Sequence, residues 1–294
     1  MQYHQPVLVK EAIKALNIAP GKKYIDCTLG DGGHTLEILK NGGRVLGLDV
    51  DENALNRACI RIKELGLDPG FTARQGNFRN IDNLVENTEF NLVDGILYDL
   101  GYSSYQLGVE ELGISFLEDQ KLDMRLDKTL GVTAADLVNA LSEGELTRIL
   151  FEYSDERLAR RFASAIVLRR NLKKIQTTKE LADLLVSVAP SDYEHGRIHP
   201  ATRTFQALRI AVNDEIDNLR VSLPRAAQLL LPGGRIAVIS FHSLEDKVVK
   251  EFGHSVRPNI LQVTEKPLVP SQQEVSENTR SRSAKLRVFE KNEK

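Results

Sequence analysis

Near the start of the chain, Asp26-Cys27-Thr28-Leu29-Gly30-Asp31-Gly32-Gly33-His34 joins an acid at the end of an apolar run to three glycines and a histidine. Glycines in such a run permit a tight turn and let backbone amides come close to a ligand. Asp49 stands 19 positions beyond Gly30, where an acid commonly accepts hydrogen bonds from the ribose of an adenosine-containing cofactor. The pair by itself fits either a dinucleotide or S-adenosylmethionine. Read against G-x-G-x-x-G, Gly30 to Thr35 lacks the third glycine, and Asp31 is expected to repel a pyrophosphate. A zwitterionic ligand without phosphates fits better. Gly76-Asn77-Phe78 adds an amide and an aromatic face where an adenine would lie. The plainer alternative is a tight turn with Asp49 capping the helix that begins at Asp51-Glu52.

Two further stretches carry candidate reaction chemistry: Tyr98-Asp99-Leu100-Gly101-Tyr102-Ser103-Ser104-Tyr105-Gln106, and Ser240-Phe241-His242-Ser243-Leu244-Glu245-Asp246. Asp99 could accept a proton or merely close a turn. Tyr102 and Tyr105 could receive an unstacked base or pack within their loop. Ser243 with Asp246 has the spacing of a capping box, which leaves His242 free to face a cleft or to serve the structure.

These residues need a scaffold that brings strand ends together. The first hundred residues alternate strand patterns (Tyr24 to Cys27, Arg44 to Asp49, Phe71 to Gln75, Val93 to Tyr98) with helical ones (Thr35 to Lys40, Glu52 to Leu65, Ile81 to Asn87), the mark of βαβ units and a parallel sheet. Ligands then gather at the carboxyl ends of the strands. From about Gly108 to His199 the strand signal vanishes, and helices are predicted over Ala134 to Ala140, Glu143 to Phe151, Glu156 to Arg170 and Lys179 to Val188. The division is therefore residues 1–107 with 200–294 as the cofactor domain, and 108–199 as an inserted helical domain suited to substrate recognition. A long helix from about Thr202 to Leu231, broken or bent near Pro224, leads through Pro232-Gly233-Gly234 to a strand over Arg235 to Ser240. A helix from Ser243 to Glu251 and extended segments at Leu261 to Lys266 and Lys285 to Glu290 close the chain.

Composition narrows the class. Two cysteines, Cys27 and Cys59, are too few for a disulfide framework or a zinc site, so no metal is expected. No apolar run nears the roughly 20 residues that span a bilayer, which points to a cytoplasmic protein without a membrane partner. The net charge of −2 is not that of a chain that coats free nucleic acid. Basic residues are grouped locally: residues 151–210 hold eleven Lys or Arg against seven Asp or Glu. Arg157, Arg160, Arg161, Arg169, Arg170, Lys173 and Lys174 fall on one helix and its exit, and Arg280, Arg282, Lys285 and Arg287 near the end. Either group could face phosphates, or be a solvated helix face.

The chain resembles the RsmH (MraW) family of methyltransferases. The resemblance rests on His4-Gln5-Pro6-Val7-Leu8, Gly32-Gly33-His34, Asp94 to Gly101, Leu122-Asp123-Met124-Arg125-Leu126-Asp127, His199 to Ile210, Ile239 to Asp246, and Glu277 to Ser283, in that order. It implies an α/β fold of the Rossmann-like class I methyltransferases, mostly parallel with an antiparallel last strand and an inserted helical domain. It further implies transfer of a methyl group from S-adenosylmethionine to the exocyclic N4 of a cytidine in the decoding centre of bacterial 16S rRNA, within the small ribosomal subunit. By the same resemblance Gly32, Gly33 and His34 hold the methionine end of the cofactor, Asp49 the ribose and Phe78 the adenine region, with Asp99 and Gln106 at the pocket edge. Asp99 and His242 are the candidate catalytic pair. Tyr98 and Tyr102 stand where aliphatic residues are commoner, which could alter how a base stacks. The Asn/Asp-Pro-Pro-Tyr motif of many amino-methyltransferases is absent, Asp99-Leu100-Gly101 standing in its place. Other readings are an amino-methyltransferase acting on DNA or protein, and a cofactor-binding ribosome assembly factor with little turnover.

Overall fold

The computed structural model describes residues 3, 5–101, 112–256 and 258–293. They form two compact units, one of Met1–Ser103 with Ile216–Lys294 and one of Ser104–Glu215.

The first unit is built on a seven-stranded sheet of order β3-β2-β1-β4-β5-β7-β6. Its strands are β1 (Lys23–Asp26), β2 (Arg44–Asp49), β3 (Phe71–Gln75), β4 (Val93–Asp99), β5 (Leu230–Ser240), β6 (Ile260–Gln262) and β7 (Lys285–Lys291). The first five pair in parallel, and β7 runs antiparallel to both β5 and β6. The last strand is thus the antiparallel one, as expected. Tyr24 and Ile25 of β1 and Ile96, Leu97 and Tyr98 of β4 are all fully buried, as central strands covered on both faces must be. The order reverses between β1 and β4, and the carboxyl edge there is the switch point at which such sheets bind ligands.

The helices of this unit are α1 (Val9–Leu16), α2 (Gly33–Lys40), α3 (Glu52–Glu64) and α4 (Ile81–Val85), then α10 (Glu215–Leu229), α11 (Ser243–Ser255) and α12 (Gln272–Glu277), with α5 to α9 in the second unit. Helix α1, not among the expected elements, is short and follows Leu8 with no side-chain cap, yet buries Ala12 and Leu16. It ties the ends of the chain together: the Leu8 amide donates to Glu274 Oε1 at 2.7 Å. The predicted long helix breaks at Asp214, in a left-handed conformation (φ 51), and Pro224 lies inside α10 without ending it. Pro224 is exposed, and the carbonyl it leaves unbonded belongs to the exposed Arg220. Arg209 instead spans the break with a two-pronged pair to Glu215, at 2.8 and 2.9 Å.

The second unit comprises α5 (Ala134–Ala140), α6 (Glu143–Ser154), α7 (Ala159–Leu172), α8 (Thr178–Val188) and α9 (Ala201–Asn213). Leu146, Leu150, Phe162, Ile166, Leu181, Leu185, Phe205 and Leu208 share one core. The return to the first unit, expected at residue 200, comes at Ile216 by packing, 16 residues later: the second unit runs on to Glu215, because the apolar face of α9 is part of this core. Helix α7 begins three residues later than predicted. Glu156 is fully buried, and its carboxylate accepts hydrogen bonds from the Leu158 amide and the Tyr193 hydroxyl.

Leu122 to Asp127 is a clamped loop. Met124 is buried with φ 64, a conformation a bulky residue adopts only when its surroundings enforce it. Asn213, the last residue of α9, donates to the Met124 carbonyl at 2.8 Å and accepts from the Leu126 amide at 2.8 Å. Asn213→Ala leaves both backbone groups unpaired and is expected to lower stability by about 2–4 kcal/mol. A thermal melt of the full chain checks it, and an unchanged melting temperature would show that the clamp is dispensable.

Candidate active site

Three adjacent parallel strands end in aspartates: Asp26 on β1, Asp49 on β2 and Asp99 on β4. Each carboxylate needs partners to stay charged so close to the others. Asp26, almost wholly buried, accepts from the Thr35 hydroxyl at 2.7 Å and the Thr28 amide at 3.2 Å. Burial still pushes its pKa up, with His34 and these hydrogen bonds opposing. Asp49 accepts from the amides of Gly30, at 2.8 Å, and Asp51, at 3.0 Å. Burial outweighs both and raises its pKa to about 6.

Asp99 meets His34, whose Nε2 lies 3.2 Å from Asp99 Oδ2. Burial works to lower the His34 pKa, but the hydrogen bond to Asp99 and the charges of Asp99, Asp26 and Glu274 hold it above its ordinary value. Among the described residues, His34 Nδ1 and Asp99 Oδ1 are both buried without a hydrogen-bond partner. Two such atoms on one charged pair mark a place made for a polar ligand.

The loop that presents His34 is shaped by close approaches. Gly32 caps α2 in a left-handed conformation (φ 75), with no side-chain cap and no acid in the helix's first turn, so the helix offers its amides to a ligand. A Cβ on Gly33 would lie 2.7 Å from Pro6 Cγ, so the N-terminal segment packs where only glycine fits. Asp31 requires a correction. Its carboxylate is buried and takes a 2.8 Å hydrogen bond from Arg57 Nε, so an internal guanidinium neutralises the charge expected to repel a pyrophosphate. The glycine spacing alone carries that part of the sequence argument.

Phe78 is partly buried beside the β2 and β3 ends and makes an edge-on contact with Tyr98, ring centres 5.5 Å apart. Tyr98 cannot stack on a base. It is fully buried, and its hydroxyl shares a 2.6 Å hydrogen bond with Ser222, which in turn donates to the Phe78 carbonyl. The Asn77 side chain accepts from the Arg79 amide and caps a short helical turn. Tyr102, Tyr105 and Gln106 lie outside the described residues.

His242 follows β5, and the capping box differs from the one expected: His242 itself caps α11, with Glu245 as partner. Glu245 Oε2 accepts from the amides of Phe241 and His242. His242 Nδ1 accepts from the Glu245 amide at 3.4 Å, and Nε2 sits 3.1 Å from Glu245 Oε1 without the alignment of a hydrogen bond. The ring is thus held by its own helix through Nδ1, while the buried Nε2 is left without a hydrogen-bond partner among the described residues. Asp246, predicted as the capping acid, is buried and bonded to Arg287 Nε at 2.7 Å.

A family model for the MraW methylases matches residues 1–292. The chain belongs to the MraW methylase family. Curated relatives named ribosomal RNA small subunit methyltransferase H include one from Carboxydothermus hydrogenoformans, 46% identical over 98% of this chain and 97% of its own length, and one from Nostoc punctiforme, 48% identical over 98% and 94%. Among solved structures, an rRNA methylase from Streptococcus thermophilus aligns over 97% of this chain and 93% of its own with 12% identity and a TM-score of 0.45, too slight a likeness to add to the topology seen directly.

In this MraW-family chain the basic residues part into two kinds. Arg170 donates to the Val138 and Leu141 carbonyls, Arg169 to that of Lys173, and Lys173 pairs with Glu180 at 2.6 Å. They brace helix ends. Arg157, Arg160, Arg161 and Lys174 are exposed. In the tail Arg282 is exposed and Arg280 partly buried, but Arg287 is buried against Asp246, which Lys285 approaches at 3.6 Å. Burial opposes the Asp246 charge, yet Arg287, Lys250 and Lys285 hold its carboxyl below the usual range. Asp246→Ala strands the Arg287 guanidinium and is expected to cost about 3–5 kcal/mol in stability. Urea unfolding measures it, and a loss below 1 kcal/mol would return Arg287 to the surface patch.

The sequence reading gave no duty to Asp26, Thr35 or Arg57. The signal for Asp26 was present in its position, since it ends the first strand as Asp49 and Asp99 end theirs. The Asp31–Arg57 pair joins residues 26 apart on a loop and a helix, and no local pattern announces it.

Proposed function

We propose that this chain is an S-adenosylmethionine-dependent methyltransferase of the small ribosomal subunit, acting in the cytoplasm on the exocyclic N4 of a cytidine in 16S rRNA at the decoding centre. The observation that carries the reading is the His34–Asp99 pair, part-buried at the switch point with one buried polar atom of each partner left open among the described residues. The names of the relatives supply the substrate class. The cytosine target rests on the resemblance and on the chemistry Asp99 can perform.

The residues fit the cofactor. The open amides of α2 at Gly33 and His34 suit a carboxylate, Asp49 can accept from ribose hydroxyls, and Phe78 offers an apolar face for adenine. When bound, S-adenosylmethionine supplies an electrophilic methyl group. The chain's own part is alignment and proton removal. A cytosine amine is a weak nucleophile because its lone pair is delocalised into the ring. Asp99 Oδ1 would accept a hydrogen bond from that amine, orient it, and take the proton the amine gives up as the methyl passes from the cofactor's sulfur to nitrogen. His34 holds the other oxygen, which fixes the orientation of the carboxylate. Alignment can contribute about 7–11 kcal/mol, against about 3–5 kcal/mol for a base worth 10²–10⁴-fold.

Transfer of labelled methyl from S-adenosylmethionine to small subunits lacking the modification, followed by nucleoside mass spectrometry, should place label in N4-methylcytidine. Asp99→Asn should lower kcat by roughly 10²–10⁴-fold at saturating cofactor. Label absent from RNA despite cofactor binding would overturn the reading.

Asp49 adds a pH dependence. Ribose hydroxyls favour its charged form, so below its pKa of about 6 binding must expel a proton. Cofactor affinity should rise about tenfold per pH unit up to pH 6 and then level. Calorimetric titration from pH 4.5 to 8 tests this, and Asp49→Asn should flatten the curve. A curve for the unsubstituted chain that is flat across pH 6 would remove Asp49 from the pocket.

A further inference from the structure

In the second unit, an open groove of about 760 Å³ runs beside the N-terminal half of α7. Arg157, Arg160 and Arg161 line it, over a wall formed by Ala165, Leu168 and Val188. Many arginines elsewhere in this chain are tied down, as Arg57 is to Asp31, Arg125 to Asp123, Arg209 to Glu215, Arg235 to Glu290 and Arg287 to Asp246, whereas Arg148, Arg197 and Arg282 stand exposed singly. The three in the groove are exposed and make no ion pair or hydrogen bond among the described residues. Glu143 is the one acid among the lining residues.

Stability does not account for this arrangement. Two of the arginines occupy the first turn of α7, the positive end of its dipole, and that turn holds no acid and no side-chain cap. Three like charges within five residues also repel one another. Leu168 is two-thirds exposed, at 66%, although the unit's core lies on the other face of the same helix. The groove therefore combines unsatisfied cations with an uncovered apolar wall. A polyanion that also carries flat apolar groups would satisfy both, and the guanidinium fork matches phosphate oxygens two at a time.

We propose that this groove holds a sugar–phosphate segment of the RNA substrate, Arg157, Arg160 and Arg161 gripping phosphates while ribose or a base rests on Leu168 and Ala165. The proposal rests on the RNA-modifying reading above. The chain's net charge of −2 makes such a patch local, so it directs where RNA lies instead of attracting it generally. Arg169, Arg170 and Lys173 take no part, being engaged with the protein itself.

The test is the full chain carrying Arg157→Gln, Arg160→Gln and Arg161→Gln, compared with the unsubstituted chain and with the triple Arg→Lys variant. Binding to naked 16S rRNA and to unmodified small subunits is measured across a salt series, with kcat, KM and cofactor affinity alongside. The Gln variant should lose about 2 from the slope of log affinity against log salt, for three contacts at about 0.7 each. Its KM for subunits should rise roughly tenfold or more, with kcat and cofactor affinity held and the Lys variant keeping the slope. An unchanged slope and KM would overturn the proposal. Lost binding to subunits with full binding to naked RNA would also overturn it, in favour of an acidic protein partner. An arginine-dependent slope in a chain that transfers no methyl group would uphold the groove and overturn the methyltransferase reading.

Discussion

Three carboxylates at one edge of a sheet set the terms for the first unit. Asp26, Asp49 and Asp99 end neighbouring strands, and parallel pairing brings those ends together whatever the side chains prefer. Like charges in a partly dry setting raise one another's pKa unless donors are supplied. The loop after β1 and the first turn of α2 supply them: the Thr28 and Gly30 amides, the Thr35 hydroxyl and the His34 ring each serve one of the three acids. The glycines are then conditions for donors to face strand ends, besides being room for a ligand.

That loop is in turn held from outside. Pro6 presses on Gly33, and the Leu8 amide is bonded to Glu274, whose charge also acts on His34. The two ends of the chain thus meet beside the residues with the clearest chemical potential. This gives the motif at the N-terminus, which has no candidate chemistry of its own, a place beside the glycine loop.

The helical unit uses its polar residues differently. Buried Glu156 and Asn213 bond to backbone groups that the local geometry leaves open, so they specify the loops between helices. Arginine serves the same end at Arg125 and Arg170. Against that background a charge with no protein partner is informative, and Arg157, Arg160 and Arg161 are such charges.

The sequence by itself determined the alternation of strands and helices, the sheet's parallel start, the helical insertion and the residues at the strand ends. These follow from apolar period and glycine placement, which are local and survive without knowledge of the fold. Only the tertiary structure decided which charges are spent. Asp31 reads as a free acid until Arg57 is seen against it, Arg287 as part of a basic tail until Asp246 closes on it, and Tyr98 as a stacking face until it is found buried on Ser222. Helix limits divided the same way: Pro224 looked like the break, but Asp214 is, because the Arg209–Glu215 pair stabilises a turn there. A side chain's partner is set by distance in space, and between residues 26, 41 or 124 positions apart no spacing rule relates the two.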